Sequence, residues 1–265
     1  MPILSNPFDA PDLVRAREDQ ADPLAMYLVV RRERVEGLAD LAVATARAVL
    51  AVSRLAEDPD LAARFATWYA GSFRKITLRA GERDWAHLLA SESRLALDDP
   101  DDPLIAVLPP LLKSARSGFL RGLQAYVLPA DQLSPVEPEI DLTRPTLLLS
   151  ANPALSMSAG KFAAQIGHAV LLARRAVAEL GGGEAWRTSL FEWEASGEPV
   201  AFAHSSEGGW TACLAERDCV VVTDSGLTEI APGSSTVLAV RPCAARELAD
   251  AHELLCPCPA RSEQA

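Results

Sequence analysis

The sequence predicts an α/β protein made of two similar halves. Short apolar runs alternate with amphipathic stretches of helical length, the signature of strands and helices packed in layers. The order strand, helix, helix, strand, helix, strand, strand occurs twice, at a period of about 110–120 residues. Between the two occurrences lies PADQLSPVEPEIDLTRP, residues 129–145, whose prolines break any helical or strand period.

In the first half, Met26 to Val30 reads as a buried strand. A loop carrying Arg31, Arg32 and Arg34 follows, then a helix from Gly37 to Leu55. Pro59 opens a second helix, because proline suits the first helical turn, and that helix ends near Gly71. Lys75 to Leu78 alternates as a strand, Glu82 to Ala90 is helical, and Leu104 to Leu108 and Ala125 to Leu128 are further strands. The second half opens with the strand Pro145 to Ser150 and a helix from Ser158 to Leu180. A short helix leads to Trp193 and Gly197, Val200 to Ala203 is a strand, and Gly208 to Ala215 is a short helix. Val220 to Thr223 and Thr236 to Val240 are the closing strands. The expected organisation is a flexible lead-in over 1–22, a first repeat over 23–130, a linker over 131–144, a second repeat over 145–255 and a tail over 256–265.

Composition narrows the function classes. With 25 basic against 36 acidic residues and a net charge of −11, the chain is not one that coats nucleic acid non-specifically, although a local basic face is allowed. The longest apolar helical stretch, Leu38 to Leu55, is broken by Asp40, Arg47 and Arg54 and does not read as a membrane span. The opening MPILSNPFDAPDLVRAREDQ has acids and prolines in place of the basic and apolar run of a signal peptide, so a soluble cytoplasmic protein is expected. Five cysteines, an odd number and all in the second half, are expected as free thiols. Arginine far outnumbers lysine and alanine is abundant, a pattern of high-G+C bacterial coding.

Two segments carry candidate chemistry. In SMSAGKFAAQIGHA, residues 156–169, a helix would place Lys161, Gln165 and His168 at i, i+4 and i+7 on one stripe. A cation in a first helical turn opposes the helix dipole. Lys161 therefore points to a neighbouring acid or a bound anion, unless it is a plain solvated lysine. The Gly160-Lys161 pair is no phosphate loop, because Leu155 and Phe162 stand where glycine and Ser or Thr belong. In DSGLTEIAPGSST, residues 224–236, an acid follows the apolar strand Val220–Val222, a common functional position in α/β folds. Gly226 allows a sharp turn that brings Asp224 and Thr228 together; an Asx turn to the backbone is the other reading of Asp224. There is no G-x-S-x-G elbow and the four histidines are scattered, so no serine-hydrolase triad is supported. Cys256-Pro257-Cys258 is spaced too tightly for a metal pair.

Taken together and in this order, GKFAAQIGHA at 160–169, DSGLT at 224–228 and PGSSTVLAVRP at 232–242 resemble the type 2 (archaeal and eukaryotic-type) peptidyl-tRNA hydrolase family, over residues 145–255. Glu229 and Arg241 depart from the family's more usual glutamine and glycine, and Ser158-Ala159 replaces a more basic lead-in. The resemblance implies an enzyme that cleaves the ester between peptide and tRNA to recycle tRNA, without metal or organic cofactor. It implies Lys161, Asp224 and Thr228 as catalytic residues and Gln165, His168 and Thr236 as substrate contacts. The alternatives are a non-catalytic RNA- or protein-binding module on the same scaffold, or a hydrolase of another acyl ester.

The first half looks like a degenerate copy. WYAGSFRKITL at 68–78 resembles the family's W-x-x-x-G-x-x-K-I-x-L stretch with one residue deleted. Setting Gly37 on Gly160 puts Leu38, Ala42 and Thr45 at the places of Lys161, Gln165 and His168. Setting Pro129 on Pro242 puts Leu111 and Ala115 at those of Asp224 and Thr228. Family members resemble homodimers. The expected architecture is thus two tandem three-layer α/β/α units, each with a small mixed four-stranded sheet, fused as a pseudodimer that works as a monomer. Lys113, Arg116 and Arg121 lie in a stretch without acids from Leu104 to Leu128. With Arg31, Arg32 and Arg34 they are expected to contact tRNA phosphates.

Overall fold

The structure is a computed structural model and describes residues 3–5, 23–71, 73–136, 140–141, 143–179, 181–226 and 228–256. A short strand, β1 (Ile3–Ser5), comes first. β2 (Leu24–Arg31) is apolar and buried along almost its whole length, as suits a strand covered on both faces. α1 (Leu38–Arg54) starts from Gly37, with Asp40 in its first turn and Arg54 in its last, both favourable to the helix dipole. α2 (Pro59–Ala70) has Pro59 at its start and is capped by Asp58, whose carboxylate accepts from the Asp60 N–H at 2.9 Å. There follow β3 (Arg74–Ala80), α3 (Glu82–Ser91), β4 (Ala96–Leu97), β5 (Ile105–Leu112), α4 (Gly118–Gly122) and β6 (Gln124–Ala125). The second half holds β7 (Thr146–Ala151), α5 (Ala159–Arg174), α6 (Ala176–Glu179), α7 (Glu184–Ala195), β8 (Val200–Phe202), α8 (Glu207–Glu216), β9 (Cys219–Thr223), β10 (Ser235–Cys243) and α9 (Ala245–Leu255).

Two mixed sheets result, in the orders β4-β5-β2-β3-β6 and β1-β9-β10-β7-β8. Each has five strands where the sequence predicted four. The added strand of the second sheet is β1, from the expected lead-in, which pairs in parallel with β9 as Ile3 with Cys219 and Ser5 with Val221. The rest of the lead-in and residues 257–265 of the expected tail lie outside the described residues.

Four strands in each sheet share one order and one set of directions. β2 is parallel to β3 and antiparallel to β5, which pairs antiparallel with β4. β7 is parallel to β8 and antiparallel to β10, which pairs antiparallel with β9. The turns before β3 and β8 also match. The Trp68 indole N–H donates to the Arg74 carbonyl at 2.9 Å, and that of Trp193 to the Pro199 carbonyl at 2.8 Å. Phe73 and Glu198, each five residues after its tryptophan, both have positive φ, 47° and 57°.

This register corrects the sequence alignment of the halves. Counted from the N-caps Gly37 and Ser158, Asp40, Ala44 and Arg47 occupy the places of Lys161, Gln165 and His168. Two of those places are therefore charged in the first half. Pro110 matches Pro242, because the bulge of β5 lies between its pairs Leu108–Tyr27 and Leu111–Ala25, and that of β10 between Val240–Leu148 and Cys243–Thr146. Leu111 is thus the counterpart of Cys243 and does not stand at the place of Asp224. The chain leaving β4 instead carries Asp98, whose carboxylate is spent on the Leu104 and Ile105 N–H groups at 2.9 and 2.8 Å.

The layers run helix, sheet, helix, sheet, helix. α3 and α4 cover the outer face of the first sheet through Trp85, Leu88 and Leu120. α8 and α9 cover the outer face of the second through Trp210, Cys213 and Leu248. One core between the sheets holds Met26, Leu28 and Val49 of the first half with Leu147, Phe162 and Ile166 of the second. α1 and α5 lie against each other at its centre.

The proline-rich segment is docked between the halves. The Ala159 N–H donates to the Leu128 carbonyl at 2.6 Å, that of Gly160 to Tyr126 at 2.9 Å, and that of Leu38 to Ser134 at 3.0 Å. Residues 126–134 thus accept from three of the open N–H groups at the starts of the two central helices. Gly160 is required by this approach, since a Cβ there would stand 2.3 Å from the Tyr126 carbonyl oxygen.

Candidate active site

The site lies at the start of α5 and the C-terminal end of β9. Ser158 caps α5, its hydroxyl accepting from the Lys161 N–H at 3.1 Å. Lys161 is in the first turn, and the cation that opposes the dipole is answered by an acid: its ammonium pairs with Asp224 Oδ2. The two side chains are only 12% and 5% exposed. Gln165, one turn on, donates from Nε2 to the same Asp224 oxygen at 2.6 Å. The i, i+4 spacing therefore brings the amine and the amide onto one carboxylate.

Asp224 is fixed from every side. Its N–H donates to the Ser234 carbonyl and its own carbonyl accepts from the Gly233 N–H, both at 2.8 Å. Oδ1 accepts from the Gly226 N–H at 2.8 Å. One oxygen of this aspartate closes the Asx turn, and the other faces Lys161 and Gln165. Gly226 has φ +78°, and a Cβ there would meet the ring of Pro232 at 2.3 Å, so only glycine fits the turn. The Gln165 Oε1 atom is buried and has no hydrogen-bond partner among the described residues. A buried acceptor of that kind is uncommon and marks a place where a donor belongs.

Other predicted residues fall elsewhere. Thr228 is exposed, and no hydrogen bond joins it to Asp224 among the described residues. Thr236 is fully buried, its hydroxyl donating to the Val222 carbonyl at 3.1 Å, and it ties β9 to β10. His168 leaves the stripe of Lys161 and Gln165 to meet the first half, with Nδ1 3.0 Å from Lys75 Nζ and its ring against Phe73. Burial first, then the Lys75 and Lys161 charges, hold its basicity well below that of an ordinary histidine.

Of the expected basic residues, Arg31 pairs with Glu82 and Asp102, Arg32 with Glu33, and Arg34 with Asp102. All three arginines are thus paired with carboxylates. Lys113 and Arg121 are exposed, Arg116 is half-buried, and none of the three has a carboxylate partner among the described residues. Sequence reasoning missed Glu229, noted only as a departure from the family. Its carboxylate accepts from the Ser158 N–H and hydroxyl, both at 2.7 Å, and fixes the cap of α5. The cysteines Cys213, Cys219 and Cys243 line the far side of the second sheet, where burial pushes their thiols up to about 11, 12 and 11. They are free thiols held in the unreactive form.

Residues 146–255 match the family model described as Peptidyl-tRNA hydrolase PTH2. Over 102 residues the chain is 35% identical to a peptidyl-tRNA hydrolase of Pyrobaculum aerophilum, covering 36% of this chain and 82% of that one. The chain belongs to the PTH2 peptidyl-tRNA hydrolase family. Lys161, Gln165, Asp224 and Glu229 all lie within the PTH2-matched stretch, and Lys75 and the 126–134 segment lie outside it. Among the described residues no helix is long and apolar enough to cross a membrane.

Proposed function

We propose that this chain hydrolyses the ester joining a peptide to the terminal ribose of tRNA. The observation that carries the reading is the buried Lys161–Asp224 pair, with Gln165 on the same carboxylate oxygen. Asp224 acts as general base, accepting a proton from water as the water oxygen bonds to the ester carbonyl carbon. The Lys161 ammonium stabilises the negative charge that builds on the carbonyl oxygen, a contribution of about 10²–10³ in rate. As the tetrahedral intermediate collapses, its bond to the ribose oxygen breaks and that oxygen takes the proton back from Asp224. Gln165 Oε1 accepts from the attacking water or from a ribose hydroxyl. Thr228, at the exposed rim, meets substrate and does not hold Asp224.

The two halves act as repeat units of one fused pseudodimer, a monomer with a degenerate unit over 23–130, a linker over 131–144 and the catalytic unit over 145–255. The shared strand order and the paired tryptophan turns support this. Asp40 at the place of Lys161 leaves the first half without the reacting pair. Lys113, Arg116 and Arg121 contact phosphates of the tRNA, positioning it without reading bases. They precede the 126–130 segment that runs to the start of α5, so the patch and the site share one stretch of chain. A tRNA substrate puts the reaction in the cytoplasm. The test is cleavage of a purified N-blocked aminoacyl-tRNA by the wild type, with Lys161→Ala and Asp224→Ala each losing most turnover. Near-wild-type turnover in either variant overturns the assignment.

A further inference from the structure

Lys75 is the least expected charged residue in the molecule. It lies on β3, is 8% exposed, and its amine meets no carboxylate among the described residues. Its contacts are His168 Nδ1 at 3.0 Å and the faces of Phe73 and Trp68, with ring centroids at 4.1 and 4.9 Å. Burial alone drives its basicity far below that of an ordinary lysine. An ion pair does not account for its presence there.

The counterpart positions make this contact one-sided. Lys75 pairs with Met26 across β2, as Val200 pairs with Leu147 across β7, so Val200 holds the matching place in the second half. Arg47, which holds the place of His168 on α1, is exposed. Gly167 completes the pattern. A Cβ at Gly167 would press to 3.1 Å on the Cδ and Cε atoms of Lys75. Its counterpart on α1 is Ala46, which carries a Cβ where no lysine stem must pass. One of the two matching interfaces is shaped to admit an amine, and it is the one against the helix that carries Lys161 and Gln165.

We propose that the first half supplies Lys75 as a positioning residue for the site of the second half, donating to His168 Nδ1 so that the ring stays uncharged with its proton on Nε2. The charged groups acting on His168 are Lys75 and Lys161, both basic, with no carboxylate among the described residues to favour an imidazolium. A neutral ring adds no charge beside the Lys161–Asp224 pair, and its contact with Lys75 seats α5 at a fixed depth against β3. The first half then acts on catalysis without holding a reacting pair of its own. This inference rests on the reading of Lys161 and Asp224 as the reacting groups.

The test is Lys75→Met in the full chain, which keeps the stem and removes the amine, read by kinetics and by ¹⁵N spectra of the His168 ring. In the wild type the ring is expected to stay neutral in the Nε2–H form, without titrating between pH 5.5 and 8. In Lys75→Met a mixture of tautomers is expected, with kcat lowered about ten-fold, within the cost of up to about 10² for a misplacement of about 1 Å, and KM changed less than about two-fold. Combining Lys75→Met with His168→Gln should cost no more than His168→Gln alone. Wild-type kcat in Lys75→Met, or a wild-type ring that gains its second proton near the ordinary histidine value, overturns the proposal. If the wild type cleaves no peptidyl-tRNA the proposed function fails, and the ring spectra still decide whether Lys75 holds His168.

Discussion

Gly160→Ala perturbs the joint between the linker and the catalytic helix. The new Cβ would stand 2.3 Å from the Tyr126 carbonyl oxygen and 3.2 Å from its carbon. Ordinary contact begins near 3.4 Å, so the 126–130 backbone and the start of α5 must part by about 1 Å. No side-chain rotation relieves a clash with backbone. The Gly160 N–H bond to Tyr126 at 2.9 Å breaks and the Ala159 N–H bond to Leu128 at 2.6 Å is strained. At about 1 kcal/mol for the broken hydrogen bond, up to about 1 kcal/mol for the strained one and about 1–3 kcal/mol for overpacking, the expected loss is about 2–5 kcal/mol. Lys161 is the next residue, and an error of about 1 Å in a reacting group costs up to about 10² in rate. Urea unfolding with tryptophan fluorescence reads the first number, and peptidyl-tRNA turnover reads the second. Gly118→Ala, where a Cβ meets nothing within 4 Å, is the control. A Gly160→Ala protein within 1 kcal/mol of wild type at full rate would refute the seating of α5 on the linker.

Further outcomes follow from the same geometry. Lys161→Met and Asp224→Asn each strand a buried partner and should cost about 3 kcal/mol apiece, with the double variant costing well below the sum; strictly additive losses in denaturant titrations would mean the two side chains do not interact. Gly208→Ala, in the first turn of α8 with open space around it, should raise stability by about 0.4–1 kcal/mol, and a lowered melting temperature contradicts that. Charge reversal at Lys113, Arg116 and Arg121 should weaken tRNA binding and flatten its salt dependence by about two to three units of log–log slope. An unchanged slope removes the three from the substrate face.

The site was legible where chemistry and local period coincide. Lys161 and Gln165 are one helical turn apart on one element, and Asp224 follows an apolar strand with glycine two residues on, so each position could be read from its neighbours. Glu229 and Lys75 could not. Their roles come from residues 71 and 93 positions away, Ser158 and His168, and no local pattern encodes such a meeting. The alignment of the halves slipped for a different reason. Gly37 is an N-cap, whereas Gly160 lies inside the helix to admit the Tyr126 carbonyl. Two glycines with different duties were matched by identity, and the slip hid Asp40 and Arg47. The polar lead-in concealed β1, because three residues pairing with an existing edge need no period of their own.

The most direct measurement is hydrolysis of a purified N-blocked aminoacyl-tRNA by the full chain, beside Asp224→Ala. Release of free tRNA by the wild type, reduced at least a hundred-fold in the variant, is what the Lys161–Asp224 pair predicts. Equal release by both proteins would remove Asp224 from the chemistry. No release by either, with tRNA still bound, would leave a binding scaffold where a hydrolase is proposed.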